Sequence, residues 1–161
     1  AGVTRTELKV DPKELSSRLI VAYTGQSRNS GVNNWEITKR HINGDTEIRG
    51  LLDEISQVAV AMRSALEAAD WPQVSQQLAH EWSLRKRLAP TVTTPSIEKL
   101  IQHGQAAGAQ AAKICGAGGG GCILFMADPS AIPSIRKTLV EKGASVLDAA
   151  VNTDGLQVHA E

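Results

Sequence analysis

Short apolar runs alternate along this chain with longer stretches whose apolar residues recur every three or four positions. Leu19-Ile20-Val21-Ala22-Tyr23 is continuous and rich in β-branched residues, which predicts a buried strand. Ahead of it, Val3 to Val10 alternates weakly and Asp11-Pro12 predicts a turn. A helix is expected over Asn34 to Ile42, stopping near Asn43-Gly44. From Leu51 the apolar positions Leu52, Ile55, Val58, Ala59, Met62, Ala65, Leu66 and Ala69 are spaced by three and four. That spacing predicts an amphipathic helix of about five turns. Asp70 is placed to cap a second helix with the face Trp71, Val74, Leu78 and Trp82, ending before Pro90. Thr94-Pro95 then sets a cap and a first-turn proline ahead of Ile97, Leu100, Ile101 and Gly104. The three helices are expected to form one layer.

The second half changes character. Ala111 to Cys115 and Cys122 to Met126 are expected as two strands joined by Gly116-Ala117-Gly118-Gly119-Gly120-Gly121. Asp128-Pro129 opens a further helix with Ile132, Ile135, Leu139 and Val140 inward, closed by Gly143. Ser145 to Val151 and Leu156 to His159 are expected as the last strands, joined through a hairpin turn at Asn152-Thr153-Asp154-Gly155. Helices grouped together, rather than alternating strictly with strands, favour an α+β fold: a mainly antiparallel sheet with helices on one face.

Composition narrows the possible partners. The 161 residues suit one domain. Seventeen Lys and Arg balance seventeen Asp and Glu, so nothing points to nucleic acid or an anionic membrane held by bulk charge. Five aromatic residues (Tyr23, Trp35, Trp71, Trp82, Phe125) leave little material for stacking bases. No apolar run is long enough to cross a bilayer, and Ala1 to Lys9 has no signal-peptide core. Cys115 and Cys122 have the wrong spacing for the usual zinc pairs, and are expected as reduced thiols of a cytoplasmic protein.

Two loops carry the candidate chemistry. Five of the six residues from Gly116 to Gly121 are glycine, where a simple hairpin needs one or two. Such a loop is either a tightly packed turn or a place where backbone N–H groups meet a phosphate. No Gly-Lys-Ser/Thr closes it, as a Walker loop requires. A strand follows where the dinucleotide fingerprint needs a helix. The second loop, Thr24 to Gly31, follows a strand and holds Arg28, able to grip a phosphate or carboxylate bidentately, with hydroxyls at Thr24, Ser27 and Ser30. Arg85-Lys86-Arg87 at a helix C-terminus suits a solvated face that complements the helix dipole. His41, His80, His103 and His159 are scattered, so no metal site is expected. Asp45, Asp53 and Glu54 fit loop and first-turn positions better than an acid/base pair.

Lys113-Ile114-Cys115-Gly116-Ala117-Gly118-Gly119-Gly120-Gly121-Cys122 closely resembles the third motif of the GHMP kinases. Tyr23-Thr24-Gly25-Gln26-Ser27-Arg28-Asn29-Ser30 is similar to the loop that follows the first strand of the C-terminal half in sugar-kinase members. Asn34 to Arg40, Trp82 to Leu88 and Thr94 to Ile97 stand in the matching order, so the resemblance runs from about Leu19 to His159. Within the family the likeness is to the D-glycero-D-manno-heptose 7-phosphate kinases, then to fucokinase-type enzymes.

The resemblance implies a ferredoxin-like α+β domain with extra helices over residues 1–161, closing one side of a kinase cleft. It implies that Gly116, Ala117, Gly118, Gly119, Gly120 and Gly121 shape the phosphate end of the nucleotide site. Thr24, Ser27 and Arg28 would face the phosphoacceptor, while Lys86 and Arg87 are poorer candidates for a sugar phosphate. ATP and Mg2+ are implied for the complete kinase, neither held tightly by this chain. The family's ATP loop, Pro-x-x-x-Gly-Leu-Gly-Ser-Ser-Ala, is missing from these residues, as are the acidic residues that help hold magnesium. The chain is therefore expected to be a C-terminal half, inactive without an N-terminal half in the same or a separate chain. No catalytic residue of its own is expected. The alternative is a stand-alone ferredoxin-like regulatory module that binds a small anionic metabolite through Arg28 and the glycine loop. A homodimer fits either reading.

Overall fold

A computed structural model describes residues 5–27, 30–156 and 158, with residues 30–33 as helical backbone. The chain opens with helix α1 (Pro12–Ser17), strand β1 (Leu19–Tyr23) and helices α2 (Ser30–Ile42), α3 (Thr46–Glu67), α4 (Trp71–Leu88) and α5 (Pro95–Ala106). Strands β2 (Ala111–Ile114) and β3 (Cys122–Met126), helix α6 (Ile132–Glu141) and strand β4 (Ser145–Leu147) follow. The sheet runs β2-β3-β1-β4, and every pairing is antiparallel. With α5 and α6 as the crossover helices this is the β-α-β-β-α-β order of a ferredoxin-like fold. The additional helices α2, α3 and α4 are inserted between β1 and α5.

Strand alternation sorts the side chains. Ile20 and Ala22 of β1, Ala112 and Ile114 of β2, and Ile123 and Phe125 of β3 share one face. That face is sealed by Ile97, Leu100 and Ile101 of α5 and by Ile135 and Leu139 of α6. Gly104 allows α5 to lie this close, because a Cβ there would overlap the Phe125 ring.

The three central helices do not form one layer. α3 and α4 pack together through Ile48, Leu51, Val58, Leu84 and Leu88. Their other end, with Ala65, Trp71, Val74 and Leu78, covers Ala111 and Met126 at the β2 end of the second sheet face. Val21, Tyr23, Cys122 and Leu124 on the rest of that face remain half-buried. α5 leaves the helical pair because its apolar face matches the opposite side of the sheet.

Several boundaries differ from expectation. Asp11 begins a helix: its side chain accepts the amides of Lys13 and Glu14, and α1 forms where only a turn was expected. Glu14 accepts a 2.6 Å hydrogen bond from Trp71 Nε1, and the Arg18 guanidinium lies 4.5 Å from the Trp71 ring centre. These contacts dock α1 against the start of α4. β4 stops at Leu147 instead of reaching Val151. Asn152 accepts the amide of Asp154 at 2.8 Å and the chain bends there, but the expected hairpin does not form, since no strand follows among the described residues. His159, the expected end of that strand, lies outside them.

α3 begins five residues earlier than its apolar spacing indicated, because Asp45 caps it. The Ile48 amide donates to Asp45 Oδ1 at 3.1 Å, and Arg40 Nε sits 2.7 Å from Oδ2. The Ile48 amide first, and then the Arg40 guanidinium, hold the Asp45 carboxyl below its ordinary value. A depressed carboxyl pKa contributes stability above the unfolded value, and loses it as pH falls through the folded value. Asp45→Asn keeps a capping oxygen but cannot titrate. Its melting temperature is expected to fall less steeply below about pH 4 than that of the wild type. Parallel slopes in an acid series of thermal melts would show that Asp45 carries no such linkage.

Candidate functional site

Antiparallel pairing places the C-terminal end of β1, the turn joining β2 to β3 and the start of β4 at one end of the sheet. The glycine loop is built there. Gly116, Gly118, Gly119 and Gly121 take positive φ, a region that residues with a Cβ enter at a cost of about 1–2 kcal/mol each. Gly118 is constrained by space as well. A Cβ on it would overlap the Val92 carbonyl oxygen and lie 2.7 Å from Val92 Cα.

The loop makes backbone contacts in two directions. Toward the segment before α5, the Gly119 amide donates to Val92 O at 2.8 Å. Toward the end of β1, the Gly121 amide donates to Gln26 O at 2.9 Å. Gly121 O accepts both the Thr24 amide and Thr24 Oγ1, each at 2.9 Å. The loop is therefore partly a packed turn and less open than its composition implies. The exposed Gly116 amide has no partner among the described residues.

Of the residues expected to face an acceptor, Thr24 is held directly on the glycine loop. Ser27 is exposed, and Arg28 lies outside the described residues. Gln26 was not singled out by sequence, yet it joins three segments: its carbonyl accepts Gly121, and its side chain accepts Ser96 Oγ at 3.3 Å. The basic run divides. Arg85 pairs with Glu81, whereas Lys86 reaches Glu98 at 3.4 Å and lies 5.6 Å from the Trp82 ring centre; Arg87 is exposed. Cys115 and Cys122 flank the loop and are not joined by a disulfide. Asp45 is the α3 cap, while Asp53 and Glu54 lie exposed on α3.

Thr24 also borders a cavity of about 220 Å³ whose walls include Ser96, Lys99 and His103 of α5, and Lys142 just beyond α6. No sequence signal related these residues to one another, since α5 and the end of α6 come together only when both pack on the same sheet face. Among the described residues no three His, Cys, Asp or Glu side chains gather as a metal site. No helix among them is long and apolar enough to cross a membrane.

The family model "GHMP kinases C terminal" matches residues 62–145. A D-glycero-alpha-D-manno-heptose 7-phosphate kinase of Campylobacter jejuni is 27% identical over 144 residues, covering 89% of this chain and 42% of that protein. A bifunctional fucokinase/GDP-fucose pyrophosphorylase of Arabidopsis thaliana is 28% identical over 129 residues, 80% of this chain and 12% of that protein. The chain thus spans less than half the length of either relative. The crystal structure of L. major mevalonate kinase in complex with R-mevalonate superposes with a TM-score of 0.72 at 21% identity. That alignment covers 80% of this chain and 40% of the kinase, and shows a shared fold.

The tight approach at Gly118 yields a direct expectation. Gly118→Ala meets both the Val92 clash and the positive-φ strain, and should lower stability by about 2–4 kcal/mol. Gly25→Ala meets nothing within 4 Å and should cost only about 1–2 kcal/mol through its φ. Denaturant midpoints of the two variants compare them. Equal losses would mean that the Val92 contact is not a constraint.

Proposed function

The chain belongs to the GHMP kinases, as their C-terminal domain, and on that premise we propose that it forms the acceptor-facing side of an ATP-dependent sugar or sugar-phosphate kinase. A heptose 7-phosphate is the acceptor that best fits the sequence likeness. The observation that carries the reading is the junction of Thr24 with Gly121. It joins the loop similar to an acceptor loop and the loop similar to a phosphate loop at one end of the sheet.

In this reading the glycine loop supplies shape and dipoles at the phosphate end of the cleft, with Gly116 the exposed donor. Thr24 fixes the border between phosphate and acceptor, and Ser27 and Arg28 approach the acceptor. Arg28 is the cation suited to an anionic group, because its planar fork matches two oxygens at once. ATP brings the transferred phosphoryl group, and Mg2+ neutralises charge on it. The described residues include no acidic cluster able to hold that ion. We place the metal ligands, like the ATP loop, on an N-terminal half that completes the cleft. The half-buried apolar side chains of Val21, Tyr23 and Leu124 offer that half a surface to cover.

This division of labour predicts that the isolated chain does not turn over ATP. Supplying an N-terminal half with the Gly-Leu-Gly-Ser-Ser loop should produce sugar-dependent ADP release in a coupled assay. Sugar-dependent turnover by the 161 residues alone would overturn it. In the completed enzyme, Arg28→Ala should raise the acceptor KM about tenfold or more and leave the ATP KM nearly unchanged, the loss expected for a bidentate charged contact. An unaltered acceptor KM would remove Arg28 from the site.

A further inference from the structure

We infer that the cavity between α5 and the end of α6 is a binding site for a phosphate monoester. It deepens the kinase reading and rests on it in one respect: within a completed enzyme, this would be the seat of the acceptor's own phosphate. The cavity is lined by Thr24, Ser96, Lys99, His103 and Lys142, and no carboxylate lines it. The nearest acidic neighbours in sequence are engaged elsewhere, Glu98 with Thr93 and Lys86, and Glu141 with Lys137. Lys99 and Lys142 have no ion-pair partner among the described residues. In a chain with zero net charge, two ammonium groups without ion-pair partners around one cavity make a local excess of positive charge.

The donor set selects the ligand. Two lysines balance a dianion, whereas a carboxylate would leave one of them uncompensated. Ammonium groups bind phosphate oxygens as point charges, and the hydroxyls of Thr24 and Ser96 add hydrogen-bonding groups at the rim. Size points the same way. At about 220 Å³ the cavity is smaller than the roughly 300–1,000 Å³ that encloses a drug-sized ligand, so it takes one charged end of a molecule and not a whole nucleotide. Thr24 both lines the cavity and bonds to the glycine loop. A sugar whose phosphate sits at Lys99 and Lys142 can thus extend past Thr24, bringing a distant hydroxyl toward the transferred phosphoryl group.

The test is an NMR titration of the 161-residue chain with inorganic phosphate, a hexose 6-phosphate, the same hexose unphosphorylated, and chloride at matched ionic strength. The two phosphates should give saturable shifts centred on Ser96, Lys99, His103 and Lys142. Free hexose and chloride should not. The double variant Lys99→Gln, Lys142→Gln should weaken both phosphates at least about tenfold, as expected for losing two charge-assisted contacts. Both lysines are exposed, so their replacement leaves the core intact, which the spectrum of the variant reports directly. Shifts that chloride reproduces, or that persist unchanged in the double variant, would overturn the site. Because the titration requires neither ATP nor a second half, the two proposals fail separately. Phosphate binding here beside an inactive completed enzyme would uphold the pocket and defeat the kinase reading. Turnover without phosphate binding here would do the reverse.

Discussion

The backbone of Gly118 lies so close to the Val92 carbonyl that no side chain fits between them, and the site depends on that approach. With the Gly119 amide bonded to Val92 O and Gly121 bonded to both Thr24 and Gln26, the loop ties the β2–β3 turn to β1 and to the segment leading into α5. Three stretches of chain distant in sequence are thereby fixed relative to one another chiefly by backbone hydrogen bonds, with Thr24 Oγ1 adding a side-chain bond to Gly121 O. Two amides serve this purpose, so the loop is a positioned surface with limited donors of its own. Preorganised donors suit phosphoryl transfer, where the protein's contribution is mainly position and charge.

Topology explains why the candidate groups share one end of the molecule. In the order β2-β3-β1-β4 the exit of β1, the β2–β3 turn and the entry to β4 must lie together. The entry to β4 brings the end of α6 with Lys142, and the link from Gln26 to Ser96 brings the start of α5. The α3–α4 pair instead closes the β2 end of the second sheet face, where Trp71, Val74 and Leu78 bury Ala111 and Met126. The inserted helices thus contribute core away from the glycine loop and leave Val21, Tyr23, Cys122 and Leu124 on that face half-buried.

Much of this was legible in the residues. β1 and β3 have the expected limits because apolar β-branched runs have little choice but burial, and Asp70 and Thr94 cap α4 and α5 as their spacing indicates. The glycine motif and the Thr24 loop resembled known kinase loops, and the structure joins them. Less visible were features set by distant partners. α1 is short and gains its hold from Trp71, well beyond any local window. A strand over Ser145 to Val151 is expected from sequence, but the pairing of β4 with β1 ends at Val21 and Leu147. The layer assignment failed because helical periodicity reveals that a face is apolar without revealing what it meets. Lys99, His103 and Lys142 were missed for the same reason: nothing local relates them.

Backbone contacts hold the glycine loop in shape, and amide hydrogen exchange tests this residue by residue. Thr24, Gly119 and Gly121 donate hydrogen bonds, and their protection should approach that of the neighbouring β3 amides, while exposed Gly116 exchanges quickly. If Gly119 and Gly121 exchange as fast as Gly116, the loop is open and unfixed, and the platform on which the functional reading stands is not there.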